Sequence, residues 1–259
     1  MDRQSEDTKE NQIKRKVDLF FTPAAVAGER LKGYNAVVID VLRAATSITT
    51  ALNNGAKGVI PSESSSAVID LANEMGKGDL LLCGEKDGRM VEGFHLGNSP
   101  SDYSKDRVRG KILVFGSTNG TPAVVRASIA KSVWLCGFIN LDAIVDAIFN
   151  SPDPFPLAIL CAGKYNGFAL EDVACGGLLV ERIISRFSSE ELHLNDAARS
   201  AMLIYKEFCT DTLTLLRNCE HGKFLIDIGM ESDLPICASD SLIPIAPCLN
   251  EGRFINPDG

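Results

Sequence analysis

The chain lacks any apolar run near the eighteen or so residues needed to cross a bilayer, and its longest apolar stretches are broken by Asp or Arg. Met1 to Lys16 also lacks the hydrophobic segment of a secretory signal; it mixes charges of both signs with Gln, Asn and Ser, and reads as a disordered tail. A cytoplasmic protein with no membrane partner is expected. Basic charge is scarce too. Lys and Arg number 26 against 34 Asp and Glu, and the formal net charge of −8 excludes the broad basic stripe that a nucleic-acid surface requires. The expected partner is therefore small, and if it is anionic, local donors or a divalent cation must overcome the unfavourable overall field. The eight cysteines, at positions 83, 136, 161, 175, 209, 219, 237 and 248, form no Cys-x-x-Cys pair. Several close apolar runs where a reduced thiol packs well, so neither disulfides nor structural zinc is expected. The three histidines, His95, His193 and His221, do not cluster or repeat at ligand spacing on one helix; His193 and His221 read as surface groups.

What the sequence does have is 45% hydrophobic residues over 259 positions, enough for one large domain or two small ones. Short apolar runs alternate with segments of helical period: Ala36 to Val41 then Ala44 to Asn53, Val59 to Pro61 then Ser65 to Glu74, and Leu80 to Cys83. The rhythm resumes with Lys111 to Phe115 then Thr121 to Lys131, Val133 to Cys136 then Leu141 to Phe149, and Leu157 to Cys161 then Leu170 to Phe187. It predicts an α/β fold whose sheet is mostly parallel, with a helical C-terminal part through Ala197 to Cys209, Thr212 to Asn218 and a short element near Phe224 to Gly229. The stretch Pro152-Asp153-Pro154-Phe155-Pro156 breaks any helix and is the candidate boundary, near 150–156, between two lobes of a domain spanning 17–259. Gly84 to Arg109 is long and non-periodic, which predicts a binding loop.

In open parallel sheets, ligands bind beyond the carboxyl ends of the strands, and polar residues recur at those ends. Gly116-Ser117-Thr118-Asn119-Gly120-Thr121 stands between a strand and a helix. Its glycines allow close backbone approach, its hydroxyls are donors, and the following helix start favours an oxyanion; the same composition also makes an ordinary capped turn. Asp40 sits in an apolar run, where a carboxylate needs a cation or several donors; it reads as a metal ligand, a partner of Arg43, or a cap on the next helix. Arg43 offers a bidentate fork for phosphate or for Asp40. Glu85, flanked by glycines, suits magnesium or a solvated turn. Lys164, Glu171 and Asp172 follow Leu157 to Cys161; the two acids stand at a helix N-terminus and point about 100° apart, so at most one faces the site squarely. His95 lies in the long loop with Asn98 and Ser99 and could line a pocket.

Two rival chemistries are weaker. Cys83 and Arg89 have Cys-x-x-x-x-x-Arg spacing, as in phosphatases with a cysteine nucleophile, but Glu85 and Asp87 would place negative charge inside such a loop and raise the thiol pKa. A phosphoaspartyl enzyme built on Asp40 lacks the companion acid two residues on, where Leu42 stands.

Together the motifs resemble the 2-phosphosulfolactate phosphatases, magnesium-dependent enzymes of coenzyme M biosynthesis. The likeness spans residues 17 to 248. It rests on Asp40-Val41-Leu42-Arg43-Ala44-Ala45-Thr46-Ser47, Cys83-Gly84-Glu85, Gly93 to Pro100, Ser117 to Thr121, Cys161-Ala162-Gly163-Lys164 and Leu170-Glu171-Asp172. The resemblance implies a three-layer α/β/α fold with a mostly parallel or mixed sheet, a homodimer, and hydrolysis of 2-phospho-3-sulfolactate to 3-sulfolactate and phosphate. His95 stands where the family usually shows Asp, Ser117 where Thr is common, and Lys164 where Arg is common.

The resulting expectation is a phosphomonoester hydrolase in which Asp40, Glu85 and one of Glu171 or Asp172 hold Mg²⁺, and either water or Asp40 attacks phosphorus. Arg43, Lys164, Ser117, Thr118, Asn119, Gly120 and Thr121 would grip the anionic oxygens, with Thr46, Ser47, Asn98 and Ser99 around the substrate body. His95 would protonate the leaving group. A non-catalytic module binding an anionic metabolite through the same loop is the alternative of a different class.

Overall fold

The computed structural model describes residues 15–27, 29–76, 78–117, 120–165, 167–187, 192–208 and 210–257. The first half runs β1 (Arg15–Phe20), β2 (Asn35–Ile39), α1 (Ala44–Asn53), β3 (Gly58–Ser62), α2 (Ser65–Met75), β4 (Leu80–Lys86), β5 (Arg89–Met90), α3 (Lys105–Val108), β6 (Ile112–Gly116) and α4 (Gly120–Ala127). It continues with β7 (Ser132–Cys136), α5 (Leu141–Asn150), β8 (Leu157–Cys161), α6 (Leu170–Ile184), β9 (Leu192–Leu194), α7 (Asp196–Phe208), α8 (Thr212–Asn218), α9 (Glu220–Asp227), α10 (Leu234–Cys237), β10 (Cys248–Asn250) and β11 (Arg253–Ile255).

The strands form one sheet in the order β5-β4-β6-β3-β11-β10-β7-β2-β8-β1-β9. Pairing is parallel from β3 through β6 to β4 and from β7 through β2, β8 and β1 to β9; it is antiparallel only around the short β5, β10 and β11 among the described residues. In β2 every residue is buried, and the two-residue period divides them between two layers. Val37 and Ile39 pack with the α5 and α6 residues Ile144, Val173 and Leu179, whereas Ala36 and Val38 pack with the α1 and α4 residues Ile48 and Ala123. This is the three-layer α/β/α arrangement.

Several elements differ from the sequence-based expectation. β1 takes in Arg15 and Lys16, where charge obscures the strand, and its Asp18 is buried against Lys16 at 2.8 Å and the Tyr34 hydroxyl at 3.1 Å. Gly84 to Arg109 is not structureless: β4 extends to Lys86, β5 folds back on it, Cys83 and Leu96 form a parallel bridge, and α3 closes the segment. The C-terminal part is helical through α10, but the chain then returns to the sheet as the hairpin of β10 and β11, inserted between β7 and β3. Its turn residues Glu251 and Gly252 both have positive φ, 47° and 80°, as a type I′ turn requires. The Pro152 to Pro156 stretch connects α5 to β8, which pairs with both β1 and β2 inside the same sheet. Among the described residues no helix is long and apolar enough to cross a membrane.

Candidate active site

At the carboxyl ends of the parallel strands lies a narrow polar cleft bordered by Asp40, Arg43, Glu85, Asn98, Ser117 and Lys164, together with His221 and Phe224 of α9. Its volume, about 20 Å³, holds one or two water-sized groups. Asp40 follows β2, Glu85 lies in β4, Ser117 follows β6 and Lys164 follows β8, so side chains from four strand ends border this cleft. Gly120 at the start of α4 reaches Asp40 because that helix packs on β2 and β8, several places from β6 in the sheet. A side chain on Gly120 would lie 2.6 Å from Asp40 Oδ2, so only glycine permits this approach; its N–H donates to Ser117 Oγ at 3.1 Å.

Asp40 is 4% exposed, and its Oδ1 accepts from the Ala44 N–H at 3.2 Å, the capping bond anticipated for the start of α1. Burial pushes its carboxyl up to about 6; the Glu171 and Glu85 charges add to the shift, while His221 and the Ala44 N–H oppose it. Arg43 is buried at the cleft wall. It donates from Nη1 to Asp233 Oδ2 and from Nη2 to the Gly88 carbonyl, each at 2.6 Å. Asp40 is therefore not its ion-pair partner, and two bonds fix the guanidinium plane beside the cleft. Glu85 Oε2 accepts from the Gly88 N–H at 2.7 Å, which shapes the turn that carries the Gly88 carbonyl. Lys164 is placed by a tight turn in which its backbone pairs with Gly167 in both directions, and its ammonium stands 4.7 Å from the Phe224 ring centre. The turn needs glycine at 163: φ is +70°, and a Cβ there would lie 2.1 Å from the Gly167 carbonyl oxygen.

The two acids at the start of α6 diverge as helical geometry requires, and neither borders the cleft. Asp172 spends both oxygens on backbone, accepting from Val41 N–H and Gly163 N–H at 2.9 Å each, and so ties the end of β2 to the end of β8. Burial, with the Glu171 and Asp40 charges, raises its carboxyl well above the usual range. Glu171 Oε1 lies 3.2 Å from His221 Nδ1; burial works to raise its carboxyl, but His221 brings it below its ordinary value.

Other expected contacts do not border the cleft. His95 is exposed, does not border the cleft, and its Nδ1 accepts from the Leu82 N–H at 2.9 Å, so the bridge between β4 and Leu96 holds it away from the site; this corrects its assignment as the leaving-group acid. Thr46 donates its hydroxyl to the Val41 carbonyl at 3.2 Å and Ser47 donates to the Asn98 carbonyl at 2.7 Å; both are fully buried wall supports, not substrate contacts. Ser99 donates to Asp233 Oδ1 at 2.5 Å, and Thr121 is buried inside α4 away from the cleft. Thr118 and Asn119 fall outside the described residues. Cys83 is fully buried with its thiol pushed up by desolvation, Arg89 is exposed and donates to the Ile228 carbonyl, and neither borders the cleft. The cysteine-nucleophile reading thus has no site.

His221 and Asp233 were not found by sequence reasoning. Both lie in the helical C-terminal part, where no strand end or glycine-rich loop marks them, and His221 is half-buried instead of being a surface group.

Among the described residues no three His, Cys, Asp or Glu side chains gather closely enough to hold a metal ion. Mg²⁺, however, keeps several waters and takes one or two carboxylates plus substrate oxygens. Asp40 and Glu85 share the cleft, and Asn98 Oδ1 at its edge is a buried oxygen with no hydrogen-bond partner among the described residues. These hard oxygen donors fit Mg²⁺; Asp172, with both oxygens committed, does not.

Residues 20–252 match the family described as 2-phosphosulpholactate phosphatase. The chain belongs to that family. Its relatives include proteins named probable 2-phosphosulfolactate phosphatase from Clostridium acetobutylicum, 32% identical over 93% of this chain and 100% of that one, and from Thermotoga maritima, 36% identical over 85% and 91%. Another so named, from Caldicellulosiruptor saccharolyticus, is 37% identical over 82% of this chain and 87% of its own. Family membership makes the chain a phosphatase, a phosphoric monoester hydrolase.

Proposed function

We propose that this chain hydrolyses a small anionic phosphomonoester, 2-phospho-3-sulfolactate, to 3-sulfolactate and phosphate with Mg²⁺ as cofactor. The observation that carries the reading is the meeting of Arg43, Lys164 and Ser117 with the carboxylates Asp40 and Glu85 around one small polar cleft. Arg43, already oriented by Asp233 and Gly88, presents its remaining N–H groups to the non-bridging oxygens. The Lys164 ammonium balances further negative charge, and Ser117 also borders the cleft. Mg²⁺, held by Asp40 and Glu85 with Asn98 Oδ1 at hand, would neutralise the phosphate and lower the barrier to in-line displacement. A cation there also offsets the desolvation that drives the Asp40 carboxyl upward, to which the Glu171 and Glu85 charges add. The same reading includes a cytoplasmic homodimer.

Phosphate release from a panel of phosphorylated hydroxy acids, in Mg²⁺ and in EDTA, tests it. The expected result is Mg²⁺-dependent turnover that is fastest with 2-phospho-3-sulfolactate. Turnover undiminished by EDTA would remove the metal, and saturable binding without release of phosphate would favour the metabolite-binding module.

A further inference from the structure

We propose that His221 is the general acid of the reaction, its Nε2 delivering a proton to the bridging ester oxygen as the phosphorus–oxygen bond breaks; this rests on the phosphomonoesterase reading above.

The geometry begins with two cavities that share a wall. Beside the polar cleft of about 20 Å³ lies a chamber of about 390 Å³, bordered by Phe168, Leu170, Asn218, Cys219 and Glu220. Lys164 and His221 border both. The cleft has no room for an organic body, and of the two cavities that adjoin it, this chamber past His221 and one of about 450 Å³ past Glu85 and Ser117, we assign that body to the chamber past His221. The bond joining phosphorus to that body then passes between Lys164 and His221, and its bridging oxygen is the atom nearest the imidazole.

The ring is fixed for this task. Cys219 caps α9, its Sγ accepting from the Gly222 N–H at 3.3 Å, which sets His221 in the first turn. The side chain is 13% exposed and its ring centre lies 6.3 Å from that of Phe224. Nδ1 faces Glu171 Oε1 at 3.2 Å, and Glu171 is 2% exposed. An ionised carboxylate can only accept, so Nδ1 carries hydrogen; Nε2 is the nitrogen left for the substrate, and it carries the second hydrogen in the imidazolium form that the step uses. Nε2 has no hydrogen-bond partner among the described residues.

In the step, a water oxygen bonds to phosphorus, the bond from phosphorus to the ester oxygen breaks, and the electron pair stays on that oxygen, which takes the Nε2 proton to become the product alcohol. One proton of the attacking water passes to solvent and the neutral ring regains one from solvent, so the cycle balances as ester plus water to alcohol plus phosphate.

An alkyl leaving group needs that proton and a nitrophenolate does not. His221→Asn and wild type would therefore be compared on a 2-phosphorylated hydroxy acid and on 4-nitrophenyl phosphate, both in Mg²⁺. The expected loss in kcat is about 10²-fold or more on the alkyl ester and at least tenfold smaller on the nitrophenyl ester. Because the comparison is a ratio within one protein, a uniform folding defect cancels. Equal losses on both esters would overturn the proposal. Should His221→Asn not fold, Glu171→Gln, which leaves the imidazole in place without its oriented carboxylate, should show the same asymmetry at smaller size, and a flat ratio there would equally overturn it. Wild-type protein inactive on every ester would instead defeat the underlying phosphatase reading.

Discussion

Arg43 and Asp233, 190 residues apart in the chain, form a buried salt bridge at 2.6 Å, with each side chain only 2% exposed. The second Asp233 oxygen accepts from Ser99, so one carboxylate from the helical C-terminal part holds both the guanidinium of the loop after β2 and the loop after β5. Removing one member of such a pair strands a buried charge, which costs about 3–5 kcal/mol. Asp233→Ala should lower unfolding free energy by about that amount in denaturant titrations. Asp233→Asn, which retains the shape and one acceptor, should lose less stability but still show a raised KM, because Arg43 is no longer held in plane. An unchanged KM in a folded Asp233→Asn variant would mean that Arg43 does not meet substrate.

Gly120 opens α4, and exchanging glycine for alanine in a helix ordinarily gains about 0.5–1 kcal/mol. Here the added carbon would lie 2.6 Å from Asp40 Oδ2 and 3.3 Å from the Ala44 Cβ, so overpacking of about 1–3 kcal/mol should dominate. Gly120→Ala is expected to be destabilised and, by pushing the Asp40 carboxylate aside, to lose at least tenfold in kcat/KM. In an Asp40→Ala background the same substitution should cost little, and equal penalties in both backgrounds would show that the contact is not the cause.

The parts of the fold that alternation encodes were legible in the sequence. Ala44–Asn53 and Leu157–Cys161 occur with the expected bounds, because each is a run of a single period with a clear break at either end. β1 was hidden because Lys16 and Asp18 neutralise each other only once paired in space, and β10 and β11 because three residues are too few to display a period. In the site, residues at strand ends could be anticipated, since topology alone brings Asp40, Glu85, Ser117 and Lys164 together. His221 and Asp233 could not, because their roles arise from tertiary packing of helices whose sequence carries no mark of the neighbour they meet. His95 misled for the complementary reason: a position in a long loop does not reveal that the loop pairs with β4.

Cys83 lies in β4, two residues before Glu85, yet it is fully buried and does not border the cleft. Its Sγ contacts the Leu81 carbonyl at 3.6 Å, and desolvation raises the thiol far above the range in which a thiolate forms at neutral pH. Cys83→Ala should leave kcat within about twofold while costing about 1 kcal/mol of stability from the small void. Thiol alkylating reagents applied to the folded wild-type protein should likewise leave turnover intact. Loss of turnover in a folded Cys83→Ala variant would return the cysteine to the mechanism.

Asp40 gives the pH dependence a definite sign. Burial raises its carboxyl from the ordinary 3.8 to about 6 in the folded protein, so the folded state holds this proton more tightly than the unfolded chain does. Stability from this group is fully present below pH 3.8 and is lost as pH rises through about 6, by about 3 kcal/mol for a shift of this size. Asp172, raised for the same reason, acts in the same direction, whereas Glu171, lowered by His221, acts against it. In EDTA, Asp40→Asn should therefore be more stable than wild type at pH 8, with the difference vanishing near pH 4. Adding Mg²⁺ at pH 8 should stabilise wild type and not the variant, since the cation favours the ionised carboxylate that only wild type possesses. Thermal unfolding of both proteins at the two pH values, with and without Mg²⁺, measures each term, and a variant no more stable than wild type in EDTA at pH 8 would show that the buried carboxylate is already compensated by the fold.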